Sequence, residues 1–374
     1  MAEAEQQTGG RGGQYLLTLV FVVVGFFIGS HIDAIAPWLT EDLSLRLWHL
    51  LLLPIWFFVS VMVHEGGHFV AGRLAGLQWM TVTAGPLRLT RLRSGVSVQW
   101  FRNDSSIGGL VLMVPGTAPI SRTGWAAFVL GGPVANLLFS AALIGVLRVG
   151  VTAAWQGPLL LLALVSLFLG VLNLLPFRAS GFSTDGRNLL DILRDDATYA
   201  VSRAMLAIAG HSAAGVRPRE WNSTLVAQVR EFHHGNNTDA DEASRATSAT
   251  QAYILYLHAL DAGDREAMRR YLADTADYFE ALPSLTASPV ACALAIHFRL
   301  IDADLAAAEI WHEKGRSGLT DASMLALADF SRAYIDGDIN EARRLADHAR
   351  RCMAEDADQG GVLPYRDLLE RIVV

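Results

Sequence analysis

The feature that most limits what this chain can become is a set of apolar runs long enough to cross a lipid bilayer. A helix rises about 1.5 Å per residue and the hydrocarbon layer is ~30 Å thick, so about 20 mostly apolar residues make one crossing. Four segments meet that requirement: Tyr15–Ile35, Leu47–Leu77 with Pro54 inside it, Gly124–Val149 and Pro158–Phe177. A fifth stretch, Tyr199–Val216, carries Arg203 and His211 and is rich in alanine. It predicts a surface or interfacial helix rather than a span. Met1 to Gly13 is polar and glycine-rich and reads as a disordered leader over residues 1–14. The apolar run that follows is too long for a signal-peptide core and lacks a small-residue cleavage site, so it is expected to stay attached.

Arginines set the orientation, because positive loops remain in the cytoplasm. Between the second and third spans lie Arg73, Arg88, Arg91, Arg93, Arg102 and Arg122. After the fourth come Arg178, Arg187, Arg194 and Arg203, whereas the loop between the first two spans holds Asp33, Glu41 and Asp42 against Arg46. Four spans with both termini in the cytoplasm satisfy every loop. The near-exclusive use of arginine, with Lys314 the sole lysine, is associated with a bacterial cell membrane.

Beyond about Arg217 the sequence is that of an ordinary soluble protein. The net charge of −7 comes from this second half, while the first is slightly basic. An acidic half of this kind argues against nucleic acid as a partner, since phosphates require a basic footprint. Cys292 and Cys352 are too far apart for a disulfide framework or a zinc ribbon and fit a reducing compartment.

Between Trp79 and Pro115 the pattern changes to alternation. Met80, Val82, Leu87, Leu89, Val96, Val98 and Trp100 alternate roughly with polar residues, Ser94-Gly95 supplies a turn, and Leu110–Val114 follows as a short strand. This predicts a β-hairpin that sits at the cytoplasmic face or lines a protein cavity, because open strand edges are not tolerated in lipid. From Thr247 the periodicity is helical and repeats. Asp264, Asp304 and Asp338 each stand where one amphipathic helix joins the next, at spacings of 40 and 34 residues. Tetratricopeptide-type helix hairpins have a period close to the second value. The expected organisation is therefore mainly α. It comprises a polytopic membrane bundle with a small membrane-associated β-sheet over 15–216, a linker region over 217–246 and a soluble helical-repeat domain over 247–374.

The chemistry concentrates at His64-Glu65-Gly66-Gly67-His68. Histidines at i and i+4 project from one helix face about a turn apart, a spacing suited to two zinc ligands, with Glu65 beside them as a base for an attacking water. Two helix histidines capping the end of a span are the plain alternative. Their place at the tail of a membrane helix, where ionisable groups are costly, favours function. Gly66 and Gly67 weaken the helix but thin its face where a substrate backbone approaches. The fourth span ends in Asn173-Leu174-Leu175-Pro176 and runs on to Asp185-Gly186, on the same side as His64 and His68. Asp185 is thus a candidate third ligand; without the histidine motif it would read first as a turn or N-cap aspartate before the Arg187–Arg194 helix.

These residues resemble the site-2 protease family of intramembrane zinc metalloproteases. That family carries HExxH on one membrane helix, a Gly-x-x-x-Asn type element on the next, and Asn-x-x-Pro…Asp-Gly on another. Here the elements are His64–His68, Gly131-Gly132-Pro133-Val134-Ala135-Asn136 and Asn173…Asp185-Gly186, in the family's order, within about residues 45–195. The stretch from Pro176 to Asp185 is longer than in the compact family form, and Ser183-Thr184 replaces its usual apolar residue. The resemblance implies that His64, His68 and Asp185 hold Zn2+, that Glu65 is the catalytic base, and that Asn136 and Asn173 contact substrate. For both asparagines a plain helix–helix or local hydrogen bond is the alternative. It further implies that the hairpin presents a substrate strand.

The remaining histidines carry no such pattern. His49 lies about 22 Å along a helix from His64, too far to share its metal. His233-His234 is expected to be solvated, and His297 and His312 to be structural. The expected function is zinc-dependent cleavage of a membrane-embedded or membrane-tethered protein or peptide near the cytoplasmic boundary, with the C-terminal half as an adaptor for a protein partner. A vestigial metal site on a membrane scaffold, recruiting partners through the repeats, is the competing expectation.

Overall fold

The structure is a computed structural model that describes residues 47–100, 108–116, 120–179, 182–194, 197–235, 242–282, 284–316 and 322–373. It is mainly helical, with a four-stranded antiparallel sheet. Among the described residues, three helical segments are long and apolar enough to cross a membrane: Trp48–Leu74, Arg122–Val149 and Ala153–Leu174. The expected span Tyr15–Ile35 and the leader lie outside the described residues.

The first segment opens with a 3-10 turn, Leu47–Leu52, and continues as α1, Leu53–Leu74. Pro54 is at the helix start, where its missing N–H is not needed. α2 is Arg122–Val149, capped by Ser121, whose side chain accepts from Gly124 N at 3.1 Å. α3 is Ala153–Leu174, earlier at both ends than the sequence pattern suggested. It stops there because Pro176 disfavours helical geometry in the residue before it. α1 and α2 approach most closely at two glycines. A Cβ on Gly67 would collide with the carbonyl of Gly131, and one on Gly131 with the carbonyl of Gly67. Gly67 therefore serves helix–helix contact rather than substrate approach, while Gly66 faces open space.

Between α1 and α2 runs the sheet: β1 Leu77–Ala84, β2 Leu87–Arg91, β3 Val96–Trp100 and β4 Gly109–Pro115, in the order β3-β2-β1-β4. The sequence pattern foresaw the turn at Ser94-Gly95 and the last strand. It missed the turn that splits β1 from β2, where Gly85 takes a φ of 51°. The expected single hairpin is two hairpins sharing β2. β1 and β4 pack on α1, so the sheet lies against the helix that carries the histidines.

α4 is Asp185–Arg194 and α5 is Ala197–Ala213. α5 is not among the segments able to span; it packs on β4, with Gly210 tight against the Pro115 carbonyl. The expected linker 217–246 is corrected in the described residues. A 3-10 turn at Pro218–Glu220 leads into α6, Ser223–Gly235, whose Val226, Val229 and His233 are buried. Their i, i+3, i+7 spacing is that of a helix face packed on a core. Residues 236–241 lie outside the described set.

The C-terminal half continues with α7 Glu242–Ala262, α8 Arg265–Asp277, α9 Ser284–Leu300, α10 Leu305–Arg316, α11 Ala322–Ile335, α12 Ile339–Glu355 and α13 Leu363–Val373. Sequence neighbours pack pairwise as α7 with α8, α9 with α10 and α11 with α12. Each second helix starts on one of the repeated aspartates. Asp264 accepts from Ala267 N at 3.1 Å, Asp304 from Ala307 N at 3.0 Å, and Asp338 from Glu341 N at 3.0 Å. The residue before each has positive φ: Gly263, Ala303 and Gly337. A left-handed residue ends one helix and the aspartate after it caps the next. That recurrence is what the sequence displayed as a repeat.

Candidate metal centre

α1 brings His64 and His68 to one face, and both are buried in the contact with α2. Their Nε2 atoms are 3.2 Å apart. Gly132 on α2 closes over them; a side chain there would collide with both rings. The third member arrives from the far side. After α3, the chain makes a two-residue hairpin, β5 Arg178–Ala179 against β6 Phe182–Ser183, and then enters α4. The hairpin accounts for the additional residues between Pro176 and Asp185.

Thr184 fixes the entry. Its hydroxyl lies 2.6 Å from the Leu175 carbonyl and accepts from Arg187 N at 3.3 Å, the pattern of an N-cap. Gly186 then passes so close to Leu174 that a Cβ would collide with its carbonyl. At the other end of α4, Arg122 of α2 donates from Nε to the Ile192 carbonyl at 2.7 Å. Asp185 is held from both ends of its helix.

The carboxylate closes the cluster. Asp185 Oδ2 is 3.1 Å from His64 Nε2, and Oδ1 is 3.4 Å from His68 Nε2. Oδ2 is buried but not aligned with any donor. Ligand atoms about 2.0–2.1 Å from a tetrahedral zinc stand about 3.3 Å from one another. The nearest separations are close to that figure, with each carboxylate oxygen facing one imidazole, and one ligand atom from each of the three residues lies within 4.8 Å of the others. The donor set fits a divalent transition metal, with two imidazoles and one carboxylate leaving one position of a tetrahedron open. Among the described residues no other group of this kind occurs.

The supporting contacts are consistent with that fit. His68 Nδ1 is 2.8 Å from the Phe128 carbonyl of α2. An N–H on Nδ1 donating to that carbonyl leaves Nε2 as the free lone pair. Glu65, next to His64, is 6% exposed, and Gly109 at the start of β4 lies so close that a side chain would strike its carboxylate. The strand therefore runs directly beside the candidate base.

The two asparagines part company. Asn136 is fully buried, its Nδ2 3.3 Å from His64 Nδ1 and its Oδ1 3.2 Å from Ser166 Oγ of α3. The resemblance implied a substrate contact for it; the fold places its side chain between His64 and Ser166. Asn173 donates to the Leu169 carbonyl of its own helix at 3.0 Å and is not part of the cluster. Gly109, Phe128 and Ser166 had no signal in the sequence, because an isolated glycine, a backbone carbonyl and a lone serine in an apolar run carry no motif; Gly132 stood in the Gly-x-x-x-Asn element, but its closeness to both histidines did not show. In the C-terminal half, His233 is buried against Asp274 at 2.9 Å rather than solvated, and of the core or surface placements open to His297 and His312, both take the core. Compared with known protein families, curated proteins and solved structures, the chain matches none.

Proposed function

We propose that this chain is a zinc-dependent intramembrane endopeptidase. What carries the reading is the convergence of His64, His68 and Asp185 from two distant segments at zinc-ligand separations, inside helices built to lie in lipid. Zinc, when bound, supplies a Lewis acid that polarises a peptide carbonyl and makes water acidic. His64, His68 and Asp185 hold it.

The remaining work falls to the chain. Glu65, buried beside His64 and against β4, accepts the proton lost by the attacking water and returns it to the leaving amine. A C–O bond forms as the amide C–N bond breaks, and the amine departs neutral. The bilayer excludes bulk water, so a substrate is a membrane-embedded or membrane-tethered segment unwound enough to expose its backbone. β4, adjacent to Glu65, is the element nearest to it.

The arginine distribution supports a fourth span at Tyr15–Ile35, both termini in the cytoplasm of a bacterial cell, and cleavage near the cytoplasmic boundary. The capped helix pairs of the C-terminal half support a repeat-type adaptor for a protein partner. The test compares membrane fragments from cells carrying wild type or Glu65→Gln. Wild type releases cytoplasmic fragments that the variant does not, with cleavage reduced by about 10²-fold or more. Equal cleavage by the variant would remove the catalytic role and leave the membrane-scaffold reading.

A further inference from the structure

We propose that Ser166 and Asn136 are positioning residues that hold His64 in the tautomer a metal needs, an inference that rests on the metal reading above. Three buried polar side chains from three helices meet here: His64 on α1, Asn136 on α2 and Ser166 on α3. Such groups are costly in an apolar bundle unless they satisfy one another. Gly170, one turn after Ser166, allows the approach; a Cβ there would stand 3.2 Å from that of Asn136 and 3.1 Å from the Pro133 carbonyl. One turn further along α2, Ser140 donates to the Ala163 carbonyl at 2.8 Å, closing the same seam.

One proton decides the arrangement. A neutral imidazole that gives its Nε2 lone pair to a metal carries its hydrogen on Nδ1 and must donate it. His68 has a main-chain acceptor for this, the Phe128 carbonyl at 2.8 Å. His64 instead has the Asn136 side-chain amide, 3.3 Å from its Nδ1. An amide turned by half a revolution occupies the same space with oxygen and nitrogen exchanged. With oxygen toward His64, it accepts the Nδ1 hydrogen, and its NH2 faces Ser166 Oγ, which lies 3.2 Å from that end. The serine accepts from the amide and spends its own hydrogen on the Asn136 backbone carbonyl, 3.0 Å away. The chain is then satisfied from His64 through the amide to the serine, the direction that a metal on Nε2 requires. With its own hydrogen on the Asn136 carbonyl, Ser166 offers the amide NH2 a lone pair and so favours the amide oxygen toward His64.

The test is zinc affinity, measured by chelator competition on the full chain in detergent, with thermal melting of the metal-free protein as a control of folding. Wild type is compared with Ser166→Ala, Asn136→Leu and Asn136→Asp. Loss of such a supporting hydrogen bond costs about 10–100-fold in metal affinity. Ser166→Ala is expected to weaken zinc by about tenfold and Asn136→Leu by about a hundredfold. Asn136→Asp, which only accepts, restores most of what leucine loses. The proposal is overturned if Asn136→Asp binds as weakly as Asn136→Leu while melting like wild type, or if Ser166→Ala binds as wild type does. Wild type that takes up no zinc at all would fail the metal reading itself, a result distinct from either of these.

Discussion

The two halves of the molecule differ in what they leave at the surface and in how they treat buried polar groups. In the helices able to span a membrane, Leu74, Leu138 and Val149 are exposed, while His64, Glu65, His68, Asn136, Ser140 and Ser166 are buried. In the C-terminal half the interior is Leu294, Leu327, Phe330, Ala346 and Leu369, and charged caps lie at the surface. A lipid-facing helix gains nothing by hiding leucine, so its interior is free to carry chemistry. The halves also differ in how a buried charge is treated. Arg299, deep among α9, α10 and α11, meets Glu309 at 3.1 Å, His312 at 3.2 Å and Ser331 at 3.2 Å. Asp185 is held firmly by its helix, yet one carboxylate oxygen has no aligned donor. Arg299 is paired with groups of its own core, whereas Asp185 faces two imidazoles, the donor set on which the metal proposal rests.

That contrast is open to direct attack. The largest effect is expected from Phe330→Ala, which empties a fully buried position in the C-terminal core and costs about 3–5 kcal/mol. Zinc content of the protein that remains folded stays at the wild-type level, as melting and metal analysis together would show. Gly67→Ala is next. Its methyl must push α1 from α2, so it costs about 1–3 kcal/mol and also lowers zinc affinity, the reverse of the Phe330 pattern. Asp264→Ala removes an N-cap at the start of α8 and costs about 1 kcal/mol by denaturant unfolding, again with no effect on metal.

The smallest effect is expected from acid. Burial holds His297 below its ordinary pKa, and nearby Asp302 only partly opposes this. The unfolded histidine titrates near 6.5. Its contribution to stability is therefore complete above that value and declines as pH falls from there toward the folded pKa. His297→Gln should flatten the melting profile over that window.

How much of this was legible from residues alone follows the same division. Three of the four expected spans, the His64–His68 pair on one helix face and the alternation of the strands are present in the described residues; Tyr15–Ile35 lies outside them. The repeated Asp264, Asp304 and Asp338 were visible as punctuation, and their caps give the reason. The turn at Gly85 had a signal, Gly85-Pro86, that the alternation of its neighbours obscured. The β5–β6 hairpin and the Thr184 cap were not visible, since two-residue strands leave no pattern. Asn136 was legible as a polar residue in a membrane helix but not as a neighbour of His64. Which side of a helix meets which partner is decided by packing, here by glycines at 67, 131 and 170.

The central claim is that two histidines and a distant aspartate make one metal site, and zinc stoichiometry in the purified full chain tests it most directly. The account predicts one tightly held zinc per chain in wild type and none in Asp185→Ala, with the metal-free variant still folded. Wild type without zinc, or Asp185→Ala with a full equivalent, would contradict it.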